Sequence, residues 1–183
     1  MSLSSRRFVL IDRDGTVNVE RHYLSEPDQL ELIAGVGAAL RRLGEAGFGI
    51  AVITNQSGIA RGYFDAARLA AIHDRLVGLL AAEGAHVDGI YVCPHGPDDD
   101  CACRKPLPGM AEQAMAEHGF DPCQAVVVGD KEVDVELGKA IGATTILVRT
   151  GHGETYAATS AADHVVADLP AAVEVILAGA SRT

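Results

Sequence analysis

Six short runs of apolar, largely β-branched residues punctuate the chain, at 8–11, 49–53, 89–92, 125–128, 145–148 and 164–166. Each has the length and continuity of a strand buried on both faces. Between these runs the apolar positions change period. Val36, Leu40 and Leu43 recur at the spacing of one helix face, and so do Leu69, Ile72, Leu76, Leu79 and Leu80. Pro108 and Gly119 punctuate a third helix, 134–141 predicts a fourth, and Pro170 near the start of 169–177 predicts a last one. Strands alternating with helices predict an α/β fold, a parallel sheet covered on both faces and joined by right-handed crossovers. The stretch 17–33 breaks this rhythm. It is polar and aromatic and too long for a simple turn, so it predicts an irregular flap. No repeat, low-complexity tract or linker divides the 183 residues, which are expected to form a single domain.

Composition narrows the function classes. At 48% hydrophobic and 22% charged the chain reads as globular, not disordered. A formal charge of −10 argues against nucleic acid or an anionic membrane as partner, since both need an extended basic surface. A small phosphate ligand stays compatible, because salt screens long-range repulsion beyond about 8 Å and local cations dominate a pocket. The apolar run behind Arg6 and Arg7 is too short for a signal peptide, and no stretch approaches the roughly 20 apolar residues of a membrane span. These features predict a cytoplasmic protein. With no long apolar stripe left over after the helices pack, a monomer is expected.

The chemistry collects where the expected strands end. Asp12 and Asp14 leave the first strand just before Gly15, and alternate residues of a strand share a face, so the two acids are placed to converge. One aspartate can attack phosphorus and form an aspartyl-phosphate while the other moves protons. Two such charges also recruit a hard cation, and beside phosphate that favours Mg2+. The alternative is an acidic strand end without chemistry. Thr54, Asn55, Gln56 and Ser57 follow the second strand and offer neutral hydrogen-bond donors for phosphate oxygens, or simple turn chemistry. Arg104 and Lys105 bring two cations, for a phosphoryl group or for solvent. Asp130 follows the fourth strand and can complete a Mg2+ shell with Asp12 and the Asp14 carbonyl, while Asp134 is either a further carboxylate or a helix-starting acid. Lys131 reaches substrate or stays solvated. Open parallel sheets bind ligands at this edge, so the convergence favours catalysis.

Cys93, His95, Cys101 and Cys103 supply three thiolates and an imidazole within eleven residues. Four such ligands close a tetrahedral zinc shell, the form of a structural site. Free thiols or a redox pair are the competing readings. Zinc there would also anchor the adjacent Arg104 and Lys105. Cys123 lies outside the cluster and reads as an ordinary thiol. His22 falls in the flap, where it can meet substrate, and Arg61 is a further candidate contact.

The motifs Asp12-Arg13-Asp14-Gly15-Thr16, Thr54, Lys105 and Gly129-Asp130 resemble those of the haloacid dehalogenase superfamily of phosphatases. The longer segments 54–62, 93–106 and 129–131 resemble its D-glycero-D-manno-heptose 1,7-bisphosphate 7-phosphatase family, which serves heptose supply for lipopolysaccharide or related glycans. The likeness runs from about residue 7 to 151. It implies a Rossmann-like doubly wound parallel sheet with a minimal cap, and a small sugar phosphate as substrate. It implies Asp12 as nucleophile, Asp14 as general acid then base, and Thr54 and Lys105 holding the phosphoryl group. Mg2+ would sit on Asp12, the Asp14 carbonyl and Asp130, and zinc on Cys93, His95, Cys101 and Cys103. Arg104 would recognise substrate, with Asn55, Gln56, Ser57, Lys131 and the flap residues Glu20, Arg21, His22 and Tyr23 nearby. The five residues between His95 and Cys101 make a short loop that resembles the related histidinol-phosphate phosphatase domain. The 57–62 segment points to heptose bisphosphate, and the side-chain match outweighs the loop length. A silent zinc-stabilised binding module is the reading of another class. It is disfavoured because Asp12, Asp14, Thr54, Lys105 and Asp130 are all present.

Overall fold

The computed structural model describes residues 6–180. Six strands, β1 (Phe8–Ile11), β2 (Gly49–Asn55), β3 (Gly89–Cys93), β4 (Val126–Gly129), β5 (Thr144–Val148) and β6 (His164–Val166), form one sheet in the order β3-β2-β1-β4-β5-β6. Every pairing is parallel, with β1 between β2 (Phe8 opposite Gly49) and β4 (Val9 opposite Val126). The helices are α1 (Val36–Glu45), α2 (Ala66–Ala82), α3 (Gly109–His118), α4 (Glu132–Ala140), the single turn α5 (Gly153–Tyr156) and α6 (Leu169–Ala180).

Strand alternation sends neighbouring side chains into two cores. Val9 and Ile11 face Leu40 and Leu43 of α1, Ile72 and Leu76 of α2 and Val173 of α6. Phe8 and Leu10 face the other way, toward Met110 and Ala114 of α3 and Leu137 of α4. A leucine as fully buried as Leu40 contributes roughly 1.5–3 kcal/mol by leaving water. Such two-sided burial is what the unbroken apolar runs encode. The helical stripes at 36–43 and 69–80 become α1 and α2.

The structure departs from the sequence reading in three places. β2 runs on through Thr54 and Asn55, which pair with Val92 and Cys93, so these polar residues end a strand instead of following it. α5 was not expected, since one turn carries no apolar period. The flap 17–33 is also less irregular than its composition implies. Val19 N–H donates to the Glu31 carbonyl and Ile33 N–H to that of Val17, while Val17, Leu24 and Leu30 are buried in the first core. Its base is therefore pinned, and only its tip stands over the strand ends.

Candidate active site

Asp12 follows β1, and its backbone N–H donates to the Val128 carbonyl of β4 at 2.9 Å, which fixes the side chain at the carboxyl edge of the sheet. Lys105 reaches it from the loop after β3. Its Nζ donates to Asp12 Oδ1 at 2.6 Å and to the Ile53 carbonyl at 2.8 Å. Asp134 Oδ1 lies 2.7 Å from the same Nζ, an ion-pair contact without hydrogen-bond alignment. Lys105 is held from behind as well. The Asn55 amide accepts from its backbone N–H at 3.0 Å and donates to its carbonyl at 3.2 Å.

Three acids stand against this one buried lysine. Ligand oxygens of Asp12, Asp130 and Asp134 all lie within 4.8 Å of one another. Burial, with the Asp12 charge beside it, pushes the Asp130 carboxyl up to about 8. Burial also raises Asp134, to about 6, against the pull of Lys105. Burial alone would lower the Lys105 ammonium, but Asp12 and Asp134 more than reverse this. Asp130 Oδ2 accepts from the His152 N–H at 2.8 Å, while Oδ1 is fully buried with no hydrogen-bond partner. A buried carboxylate oxygen without a donor is costly and rare. Together with its two neighbours it presents an all-oxygen donor set that suits a hard divalent cation such as Mg2+. Gly15 (φ +85°) and Gly151 (φ +57°) flank this carboxylate, and a Cβ on either would overlap Oδ2. Asp134 combines both expected roles: it accepts from the Lys131 N–H at 3.1 Å at the start of α4 and also pairs with Lys105.

The Asp14 carboxylate is not part of this cluster. It accepts from Arg13 Nη2 at 2.7 Å, Gln56 Nε2 at 2.8 Å and Asn18 Nδ2 at 3.0 Å. Burial would raise its pKa, but the Arg13 guanidinium and these amides outweigh burial and hold it below the ordinary carboxylate value. That leaves the Asp14 carbonyl, and not its carboxylate, as its expected contribution to a metal, while Asp134 adds a third carboxylate beside Asp12 and Asp130.

A cavity of about 510 Å³ opens beside Asp14 and Lys105, lined in part by Glu20, His22, Tyr23, Ser57, Arg104 and Lys131. Asn55 and Gln56 line it too, and their amides hydrogen-bond the Lys105 backbone, Thr54 and Asp14. Arg21 does not line the cavity and instead pairs with Glu31 at 2.8 Å. Arg61 does not line the cavity and lies with its guanidinium 5.9 Å from the ring of Tyr23, which does. His152 lines the cavity and was missed. Its only sequence signal is its place between two glycines after β5.

Cys93, His95, Cys101 and Cys103 gather at the end of β3, their ligand atoms all within 4.8 Å. Cys93 Sγ is 4.0 Å from Cys101 Sγ and 3.6 Å from His95 Nδ1. Those separations are near the edges, about 3.5–3.8 Å, of a zinc tetrahedron with bonds of about 2.0–2.3 Å. None of the four cysteines is in a disulfide. Arg104 Nη1 donates to the His95 carbonyl at 3.1 Å, tying the cluster to the cavity wall.

Comparison with known proteins agrees with this geometry. The hydrolase-like family model, described as HAD-hyrolase-like, matches residues 102–172. The D-glycero-beta-D-manno-heptose-1,7-bisphosphate 7-phosphatase of Yersinia pestis is 44% identical over 91% of this chain and 94% of its own. The Pseudomonas aeruginosa protein of that name is 45% identical, over 81% and 84%. The chain belongs to the heptose-1,7-bisphosphate 7-phosphatase family. It is accordingly a hydrolase of phosphate monoesters. Among solved structures, the B. bronchiseptica D,D-heptose 1,7-bisphosphate phosphatase, complexed with magnesium and phosphate, superposes with a TM-score of 0.89 at 40% identity, covering 94% of this chain and 99% of that one. In the present chain, as in the sequence reading, Asp12 and Asp130 follow the carboxyl ends of β1 and β4. No helix among the described residues is long and apolar enough to cross a membrane.

Proposed function

We propose that the chain removes the 7-phosphate of D-glycero-D-manno-heptose 1,7-bisphosphate through an aspartyl-phosphate, with Mg2+ as catalytic cofactor and zinc as structural metal. The observation that carries this is the Asp12–Lys105 contact at 2.6 Å, with the unpartnered Asp130 oxygen beside Asp12 and with Lys105 lining a cavity whose wall includes Asp14 and Arg104. Asp12, Asp130 and the backbone of Asp14 would hold Mg2+, with Asp134 adjacent. When bound, the cation offsets charge on the phosphoryl oxygens.

Lys105, fixed by Asn55, orients the Asp12 carboxylate and meets the phosphoryl group together with Thr54. Asp12 attacks phosphorus, the bond to the C7 oxygen breaks, and Asp14 gives that oxygen a proton. Water then attacks the aspartyl-phosphate, Asp14 takes its proton, and the P–O bond to Asp12 breaks to release phosphate. The resting Asp14 is ionised, which suits the second step. A dianionic substrate entering the cavity raises its pKa and favours proton uptake before the first. Arg104 and Lys131 supply positive charge at the wall for the rest of the substrate.

Purified protein is expected to release phosphate from heptose 1,7-bisphosphate with Mg2+ and to lose at least roughly 100-fold of that rate in excess EDTA, as for catalysis that depends on metal charge. The product should keep its anomeric phosphate by 31P NMR. A higher kcat/KM for histidinol phosphate would keep the chemistry and overturn the substrate.

For zinc, elemental analysis is expected to give one ion per chain. Stripping it should lower the melting temperature on the order of 10 °C, a few kcal/mol in a domain of this size. A zinc-free preparation that melts and turns over normally would refute the assignment.

A further inference from the structure

The geometry points to His73, on α2, as a positioning residue for the proton-transfer step: through Arg13 it fixes the carboxylate of Asp14. Arg13 is a charged side chain only 1% exposed. Its Nε and Nη2 grip Asp14, with contacts to Oδ1 at 3.2 and 2.9 Å and to Oδ2 at 2.7 Å. That fork has one free arm, Nη1, and His73 Nε2 lies 3.1 Å from it. A guanidinium can only donate, so Nε2 must be the acceptor and the ring is neutral, with its proton on Nδ1. Burial, with the Arg13 charge, lowers the imidazole to about 4, so it keeps that state across the working range.

The anchor is rigid. Ile72 and Leu76, on either side of His73 in α2, are fully buried in the first core. A guanidinium held at one edge alone can turn about its Cδ–Nε bond, and the two-oxygen grip on Asp14 is then lost. Asn18 and Gln56 would remain, one on each oxygen. Small misplacements of an acid cost most where protonation of the leaving group is most needed. The sequence gives no local sign of this link, since His73 and Arg13 are distant in the chain and meet only when α2 packs beside β1.

The inference rests on Asp14 acting as the general acid, and leaving-group dependence tests both. An alkyl phosphate expels a poor leaving group that needs the acid, whereas p-nitrophenyl phosphate expels a stabilised phenolate that hardly does. Asp14→Asn and His73→Ala are each expected to lower the ratio of alkyl to aryl kcat, by roughly 100-fold and 10-fold, on the scale of general-acid catalysis. His73→Gln, which retains an acceptor, is expected to restore most of the ratio. A merely structural role lowers both rates together and leaves the ratio unchanged. That result for His73→Ala, beside a fallen ratio for Asp14→Asn, overturns the inference. An unchanged ratio for Asp14→Asn overturns the acid assignment itself. Should His73→Ala not fold, His73→Asn is polar but too short to reach Arg13 and gives the same reading.

Discussion

Asp12→Asn is expected to give a folded protein whose phosphate release falls by roughly 10⁴-fold or more, because the amide cannot form the proposed covalent intermediate. Its stability is the more discriminating measurement. In metal-free wild type, Asp130 ionises in the folded state only near pH 8, partly because Asp12 is beside it. An unfolded aspartate ionises near about 3.9. Between these values the folded protein binds the extra proton, so stability is full at the acid end and declines as pH rises toward 8. Removing the Asp12 charge lessens that decline. The metal-free variant should therefore show a flatter pH dependence and melt no lower than wild type at pH 8. A variant that melts well below wild type there would refute this electrostatic account, and one that keeps wild-type turnover would refute the nucleophile.

Lys105→Met has the largest expected effect on stability. Methionine fills similar volume, so packing is nearly conserved and the change is chiefly electrostatic. It leaves Asp12 and Asp134, both at most 5% exposed, without the ammonium that lies within 2.7 Å of each. Breaking a buried ion pair from one side costs about 3–5 kcal/mol. The cost has a sign with pH. Without the pull of Lys105 the Asp134 carboxyl rises further in the folded state, so the loss is greatest above neutrality and shrinks as acid protonates it. Urea denaturation of metal-free protein at pH 5 and pH 8 measures this. An equal loss at both pH values would point to packing in place of charge. Turnover should be lost at either pH.

Much of the fold was legible because unbroken apolar strands and two-sided burial are the same fact seen in sequence and in space. The single turn α5 and the extension of β2 through Thr54 and Asn55 were not, since both depend on neighbours and carry no period of their own. At the site, legibility followed locality. The zinc-type ligands fall within eleven residues, and Asp12, Asp14 and Asp130 mark strand ends. His73 and His152 left no such mark, because each takes its meaning from a partner reached only by folding. Arg21 shows the converse: its place in the flap suggested the cavity, but a nearby Glu31 claimed it. Asn55 and Gln56 line the cavity, and only folding shows that their amides also hold Lys105, Thr54 and Asp14.

The strand order carries a consequence for biosynthesis. Of the six strands, β1 is the first to leave the ribosome, yet it occupies the middle of the sheet with β4 along one side. Until β4 is made, that side presents unpaired backbone, a hazard for a nascent chain. Over the same interval Asp12 lacks Asp130 and Asp134, which arrive with β4 and α4. Synthesis therefore delivers Asp12, the proposed nucleophile, early and its acidic neighbours late, and a chain interrupted between them is expected to be inert toward phosphate esters.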